Sequence, residues 1–248
     1  MPGLVRYRPA SRYRLKRRSL VVRKARGLRP TYKKIAKVCK AVALRQCETK
    51  NTHQIEEDID IYHNLQTIKT NLLYTRQGYA DNNSGTSSYA MRIGDKVVAR
   101  GLQFKFWFAN TSDRPNVMYK IIFFKYYTQG TPPTNVFKSQ GTSNIMIRDL
   151  DNEKLKVIKV KQFNLQVGLS GKVYESSTEP WGRKEAHKYV KAYIPLRNKQ
   201  VQYIADDSGT PRNVDYGFCV CAYDSYGTLQ TDIVGTFAYN VKFYFKDP

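Results

Sequence analysis

The first 50 residues contain a single acid, Glu48, against 17 lysines and arginines. A segment balanced by its own ion pairs is therefore excluded there. Histidine is scarce, with only His53, His63 and His187. A hydrolytic triad needs a nucleophile, a base and an orienting acid held together. Three dispersed histidines and no G-x-S-x-G supply no candidate. A P-loop, a G-x-G-x-x-G fingerprint and an H-E-x-x-H helix are all missing. The chain reads as non-enzymatic, and no cofactor is expected. The four cysteines, Cys39, Cys47, Cys219 and Cys221, form no C-x-x-C and no metal-ligand spacing, so no metal site is expected. Cys219 and Cys221 are two apart, which in a strand places both on one face with no room for a strain-free bridge. Reduced thiols and intracellular synthesis are the expectation. No apolar run reaches the length of a membrane-spanning helix. The opening Met1-Pro2-Gly3-Leu4-Val5-Arg6 lacks the apolar core of a signal peptide.

What is present is aromatic and basic. The 248 residues are 41% hydrophobic and include Tyr 19, Phe 11 and Trp 2, enough to fill a core. The net charge is 42 − 20 = +22. Residues 1–50 contribute 17 − 1 = +16, and residues 51–248 contribute 25 − 19 = +6. The charge thus belongs to a tail on an ordinary folded body. A basic tail of this kind points to a polyanion, most often nucleic acid. The expected organisation is a basic N-terminal arm over residues 1–47 and one folded domain over 48–248.

Within the arm, Arg6, Arg8, Arg12, Arg14, Lys16, Arg17, Arg18, Arg23, Lys24, Arg26 and Arg29 surround Tyr7 and Tyr13 with no apolar periodicity. That stretch is expected to be disordered in isolation. Residues 31–46 change character. Thr31 can cap a helix, and Ile35, Val38, Cys39 and Val42 recur at helical spacing. Lys33, Lys34, Lys37 and Lys40 fill much of the rest. This predicts a short basic amphipathic helix, packed on nucleic acid, on its own copies, or serving as a linker.

From about residue 50 the period becomes two. Ile55, Glu57, Ile59 and Ile61 alternate with Glu56, Asp58, Asp60 and Tyr62. Leu102, Phe104, Phe106 and Phe108 alternate with Gln103, Lys105 and Trp107. Residues 117–127 are continuously apolar or aromatic, as in a strand covered on both faces. Segments 154–165, 188–196, 201–204 and 216–223 follow. Phe237, Tyr239, Val241, Phe243 and Phe245 alternate with polar partners at the end. Long turn-rich connections between about eight strands predict an all-β fold, an eight-stranded antiparallel jelly roll of two four-stranded sheets, behind a disordered or helical basic arm. No β-α-β alternation suggests a parallel sheet.

Several segments carry a family likeness. They are Ile93-Gly94-Asp95-Lys96-Val97 running into Gly101-Leu102-Gln103-Phe104-Lys105-Phe106, then Tyr189-Val190-Lys191-Ala192-Tyr193-Ile194-Pro195-Leu196, and the ending Gly235–Asp247. Together with the Arg-rich arm they make the chain resemble the capsid proteins of circular, Rep-encoding single-stranded DNA viruses, the circovirus-like group. Plant satellite-virus and geminivirus coat proteins are similar too. The resemblance implies jelly-roll strands B to I at roughly 52–65, 97–109, 117–127, 154–165, 186–195, 200–204, 215–224 and 233–246. It implies a closed icosahedral shell, T=1 with about 60 copies, with the arm inward. It also implies a virion location, passage through the host nucleus, and a nuclear-import signal in the arm.

The arm is the expected genome binder, because each phosphate neutralised releases counterions. Arg can pair bidentately with phosphate and stack on bases, and Tyr7, Tyr13 and Tyr32 can stack on unpaired bases. Arg12, Arg14, Lys16, Arg17 and Arg18 match a basic import signal for a host nuclear importer. Lys159 and Lys161, sharing one face of a strand, either line an inner DNA-facing surface or suppress edge pairing. Glu56, Asp58 and Asp60, sharing one face of the first strand, form a subunit or Ca²⁺ contact, pair with a neighbour's arm, or sit at an exposed edge. Trp107 and Trp181 mark an interface or local packing. Phosphate charge alone does not separate DNA from RNA; the DNA assignment comes from the resemblance. The rival readings are a non-viral nucleic-acid-binding module of ribosomal or chromatin type, and a carbohydrate-binding or cytokine-like jelly roll.

Overall fold

Strict alternation of large apolar and polar residues drives the body into long strands with one dry face. A computed structural model describes residues 32, 34–39, 41–75, 92–111, 114, 116–129, 131–138, 144–166, 186–204, 209–225 and 229–247. The chain divides between Glu48 and Thr49 into two units. In the first, residues 32, 34–39 and 41–46 are helical, and Ile35, Val38 and Val42 are exposed.

The second unit contains eight strands. They are β1 (Thr49–Tyr62), β2 (Gln66–Lys69), β3 (Lys96–Asn110), β4 (Asn116–Tyr127), β5 (Leu155–Gln166), β6 (His187–Gln202), β7 (Val214–Asp224) and β8 (Ile233–Lys246). They form two four-stranded sheets, ordered β1-β8-β3-β6 and β2-β7-β4-β5. Every named pairing is antiparallel. First pairs with last, second with seventh, third with sixth and fourth with fifth, as when one long hairpin is wound into two sheets. That is the strand order of a jelly roll.

The core lies between the sheets. Leu102, Phe104, Phe106 and Phe108 of β3 and Phe237, Val241, Phe243 and Phe245 of β8 are all inaccessible to within about 1%. They meet Phe123 of β4 and Phe218 of β7, with Phe104–Phe123 edge to face at 4.7 Å and Phe106–Phe218 at 5.1 Å. Each buried ring contributes roughly 1.5–3 kcal/mol of transfer free energy, and the edge-to-face geometry adds to it. A second apolar cluster covers the far face of the other sheet. There Val136, Phe137, Ile145, Met146 and Leu155 pack on Ile122, Phe124, Cys219 and Cys221. This explains the unbroken apolar run of β4, which is buried on both faces. Cys219 and Cys221 share that face with their sulfurs 3.5 Å apart, and both are free thiols.

Two strand assignments differ from the sequence expectation. β2 is missing from it, because four residues, Gln66–Lys69, are too few to display a period. The sequence pattern suggests two strands, 186–195 and 200–204, where the structure has β6. It is one, carried through a kink at Arg197 and Asn198, whose φ values are 53° and 57°. A bulge between Ala99 and Gly101 of β3 matches the kink. The strand at 96–110 is therefore third in the roll rather than second.

Candidate nucleic-acid interface

Most of the arm, including Arg6, Arg8, Arg12, Arg14, Lys16, Arg17, Arg18, Arg23, Lys24, Arg26, Arg29, Lys33 and Lys40, lies outside the described residues. Lys34 and Lys37 lie on the helix and are exposed. Trp181 also lies outside the described residues.

Lys159 and Lys161 stand on the same face of β5, opposite Phe123 and Ile121 of β4. That face also carries Phe163 and Leu165, so both lysines sit at the rim of the gap between the sheets. β5 and β6 are the outer strands on this side of the two sheets. Lys161 donates to the carbonyl of Lys191 on β6, linking the two edges. Burial and the neighbouring Lys159 push its ammonium below the usual lysine value. From β6, Lys188 lies 4.8 Å over the ring of Phe163. Inward-pointing charge on an edge strand also blocks edge-to-edge pairing.

The three acids of β1 do not share a face. A bulge between Glu56 and Ile59 inserts one residue, with Asp58 at φ 53°. Alternation resets across it. Glu56 pairs with Tyr239, whereas Asp60 pairs with Thr236 and faces the other way. Glu56 accepts hydrogen bonds from Lys69 at 2.6 Å and from the Tyr239 hydroxyl at 2.8 Å. Lys69 in particular holds the Glu56 carboxyl below the ordinary carboxylate value. The bulge also turns Ile55 outward, where it is 54% exposed, while Ile61 beyond it is fully buried. Among the described residues no group of three His, Cys, Asp or Glu is placed to hold a metal ion.

A cleft of about 450 Å³ opens at one end of the sandwich, with Lys96, Lys125 and Lys199 on its wall beside Gln200, Gln202 and Asn213. No local pattern announces it, because its cations come from three strands that are distant along the chain. His63 lies near Asp224 and Asp232, and its Nδ1 accepts the backbone N–H of Asp224 at 3.1 Å. Burial lowers its pKa and keeps the ring neutral for that role. Arg114 bridges Asp224 at 3.5 Å and Asp232 at 3.3 Å nearby. This constellation fastens strand ends. Trp107 projects from the sheet and is 47% exposed, its ring stacked on His187 at 4.8 Å.

No protein-family model and no curated protein matches the chain. Among solved structures it is similar to the capsid of Penaeus monodon metallodensovirus, after EDTA treatment and at pH 8.2. These two share 10% and 11% identity, cover 84% of this chain and 77% and 75% of theirs, and superpose with TM-scores of 0.24 and 0.23. It is also similar to the unassembled KI polyomavirus VP1 pentamer, at 12% identity over 79% of this chain and 73% of that one, with a TM-score of 0.11.

Proposed function

We propose that this chain is the subunit of a small icosahedral viral capsid, T=1, which packages circular single-stranded DNA through its basic arm. The observation that carries the reading is the division of labour along the chain: +16 in the first 50 residues, and +6 in the remaining 198, which hold a jelly roll. The arm supplies sequence-tolerant charge, as packing a genome along its whole length requires. The body supplies rigid sheets and long connections that a closed symmetric assembly can use as contacts. Arg12, Arg14, Lys16, Arg17 and Arg18 serve in nuclear import before they meet the genome. The role is structural rather than catalytic, and the protein resides in the virion and, during infection, in the host nucleus.

The test is size-exclusion chromatography of the full chain at low and high salt, with absorbance at 260 and 280 nm and negative-stain microscopy. Megadalton particles with excess 260 nm absorbance are expected, and nuclease typing then identifies the packaged strand. A monomer or dimer that binds nucleic acid without forming shells, even with a circular single strand supplied, favours the ribosomal or chromatin-type module instead. Removing residues 1–46 is expected to leave a folded body that packages nothing; full packaging by that truncation would sink the arm assignment.

A further inference from the structure

The outer face of the β1-β8-β3-β6 sheet is not covered by the second apolar cluster, which sits on the other sheet. Register defines its rows. Tyr244, Gly101 and Pro195 align across β8, β3 and β6; then Lys242, Gln103 and Tyr193; then Asn240, Lys105 and Lys191; then Ala238, Trp107 and Tyr189. These twelve positions include three lysines, one tryptophan and three tyrosines, and no carboxylate. Lys105 and Lys191 stand directly opposite one another. A like-charge pair in that position is destabilising by itself. Neither lysine has an acidic partner among the described residues, nor does Lys242.

The aromatic rings are held as platforms. Trp107 stacks on His187 with 13° between the planes and lies 6.5 Å from Tyr189. Lys191 sits 5.0 Å over the ring of Tyr189. The ring of Tyr193 lies across Gly101 so closely that a Cβ there would stand 2.2 Å from the tyrosine hydroxyl oxygen. Trp107, Tyr189 and Tyr193 are 47%, 46% and 51% exposed. Aromatic rows thus flank a row of paired cations, at the roughly 6.7 Å stride of alternate residues in a strand.

We propose that this sheet face is a second nucleic-acid site, which binds unpaired bases on Trp107, Tyr189 and Tyr193 and phosphates on Lys105, Lys191 and Lys242. The partner is a single-stranded polynucleotide. Charge complementarity selects a polyanion, and exposed rings between the cations select one whose bases are free to stack. A duplex offers the same charge with its bases hidden. The proposal deepens the packaging reading and rests on it for the class of partner, but the site is distinct from the arm. It adds a contact from the folded body to the hold on the strand that the arm supplies.

The test is photo-crosslinking of the full chain to a bromouracil-substituted single strand of about 20 nucleotides, a length that spans one or two sites of this kind, with the crosslinked peptides mapped by mass spectrometry. The expected result is crosslinks at Trp107 and at Tyr189 or Tyr193, besides those in the arm. Annealing the strand to its complement should reduce the sheet crosslinks at least tenfold and spare those of the arm. Lys105→Gln with Lys191→Gln should reduce the sheet crosslinks several-fold without lowering the melting temperature, because it removes a repulsive pair. Deoxyuridine and uridine strands run in parallel separate DNA from RNA. Crosslinks confined to the arm, equal sheet crosslinks from duplex, or indifference to the lysine variant would each overturn the proposal. So would strand-free assembly that shields Trp107 from hydroxyl radicals, since that assigns the face to a second copy. Failure of the full chain to bind any strand would instead remove the packaging reading itself.

Discussion

The carboxylate of Asp215 accepts the backbone N–H of Leu73, 142 residues earlier in the chain, at 3.0 Å, and that of Tyr216 at 2.6 Å. It fastens the segment after β2 to the start of β7. Its second oxygen is buried without a hydrogen-bond partner. Burial pushes the carboxyl from an ordinary value of 3.8 up to about 7. The folded protein therefore holds a proton that the unfolded chain releases between about pH 4 and pH 7. Stability falls as pH rises through that window, by up to about 1.4 kcal/mol per pH unit from this group. Asp215→Asn, which has no charge to lose, is expected to flatten the slope and to exceed the wild type in stability at pH 8. Urea midpoints between pH 5 and pH 8.5 check this; parallel slopes for the two proteins would contradict it.

Gly235 leaves space that other side chains use. A Cβ at that position would lie 2.3 Å from the Tyr119 hydroxyl and 2.6 Å from the carbonyl oxygen of Ala109. The hydroxyl is itself fixed to Asn110 at 2.8 Å, and Asn110 donates to the carbonyl of Leu165 at 3.0 Å. Gly235→Ala is expected to destabilise by about 1–3 kcal/mol, the usual cost of overpacking. Gly94→Ala, where nothing lies within 4 Å, is the control. Equal unfolding midpoints for the two variants would refute the crowding.

The bulge in β1 makes two apolar residues unequal. Phe106→Ala opens the centre of the aromatic core and should cost about 3–5 kcal/mol. Ile55→Ala removes a side chain that the bulge has turned to solvent and should stay within about 0.5 kcal/mol of wild type. Denaturant titration of both measures the contrast. A large loss at Ile55 would mean that the first strand follows uninterrupted alternation.

Thiol reactivity should divide in the same way. Burial and the adjacent Cys221 thiol push Cys219 up, whereas Cys39 is exposed. A thiolate-directed reagent should label Cys39 in the native protein and reach Cys219 and Cys221 only on unfolding. Rapid native labelling of all four cysteines would contradict the second apolar cluster.

Much of this fold is legible in sequence where the period is long and unbroken. β3 and β8 show clean alternation over 102–108 and 237–245, and Leu102, Phe104, Phe106, Phe108, Phe237, Tyr239, Val241, Phe243 and Phe245 are all buried. β4 shows continuous apolarity because a connecting segment covers its far side. The signal fails where a single residue breaks the period. The insertion at Asp58 makes three acids look like one face, and the left-handed pair Arg197–Asn198 makes one strand look like two. β2 fails for a different reason, since four residues contain no period to read.

The sequence alone determined the all-β class, the aromatic core residues and the concentration of positive charge in the first 50 residues, because composition and period are local properties. Tertiary structure decided which strand neighbours which, and hence which side chains meet. Lys105 and Lys191 are 86 positions apart in the chain, and only the β3–β6 pairing sets them face to face between rows of exposed rings. Lys96, Lys125 and Lys199 likewise share a cleft only because the start of β3 lies beside the ends of β4 and β6. Such surfaces depend on pairing between distant segments, which no local pattern records.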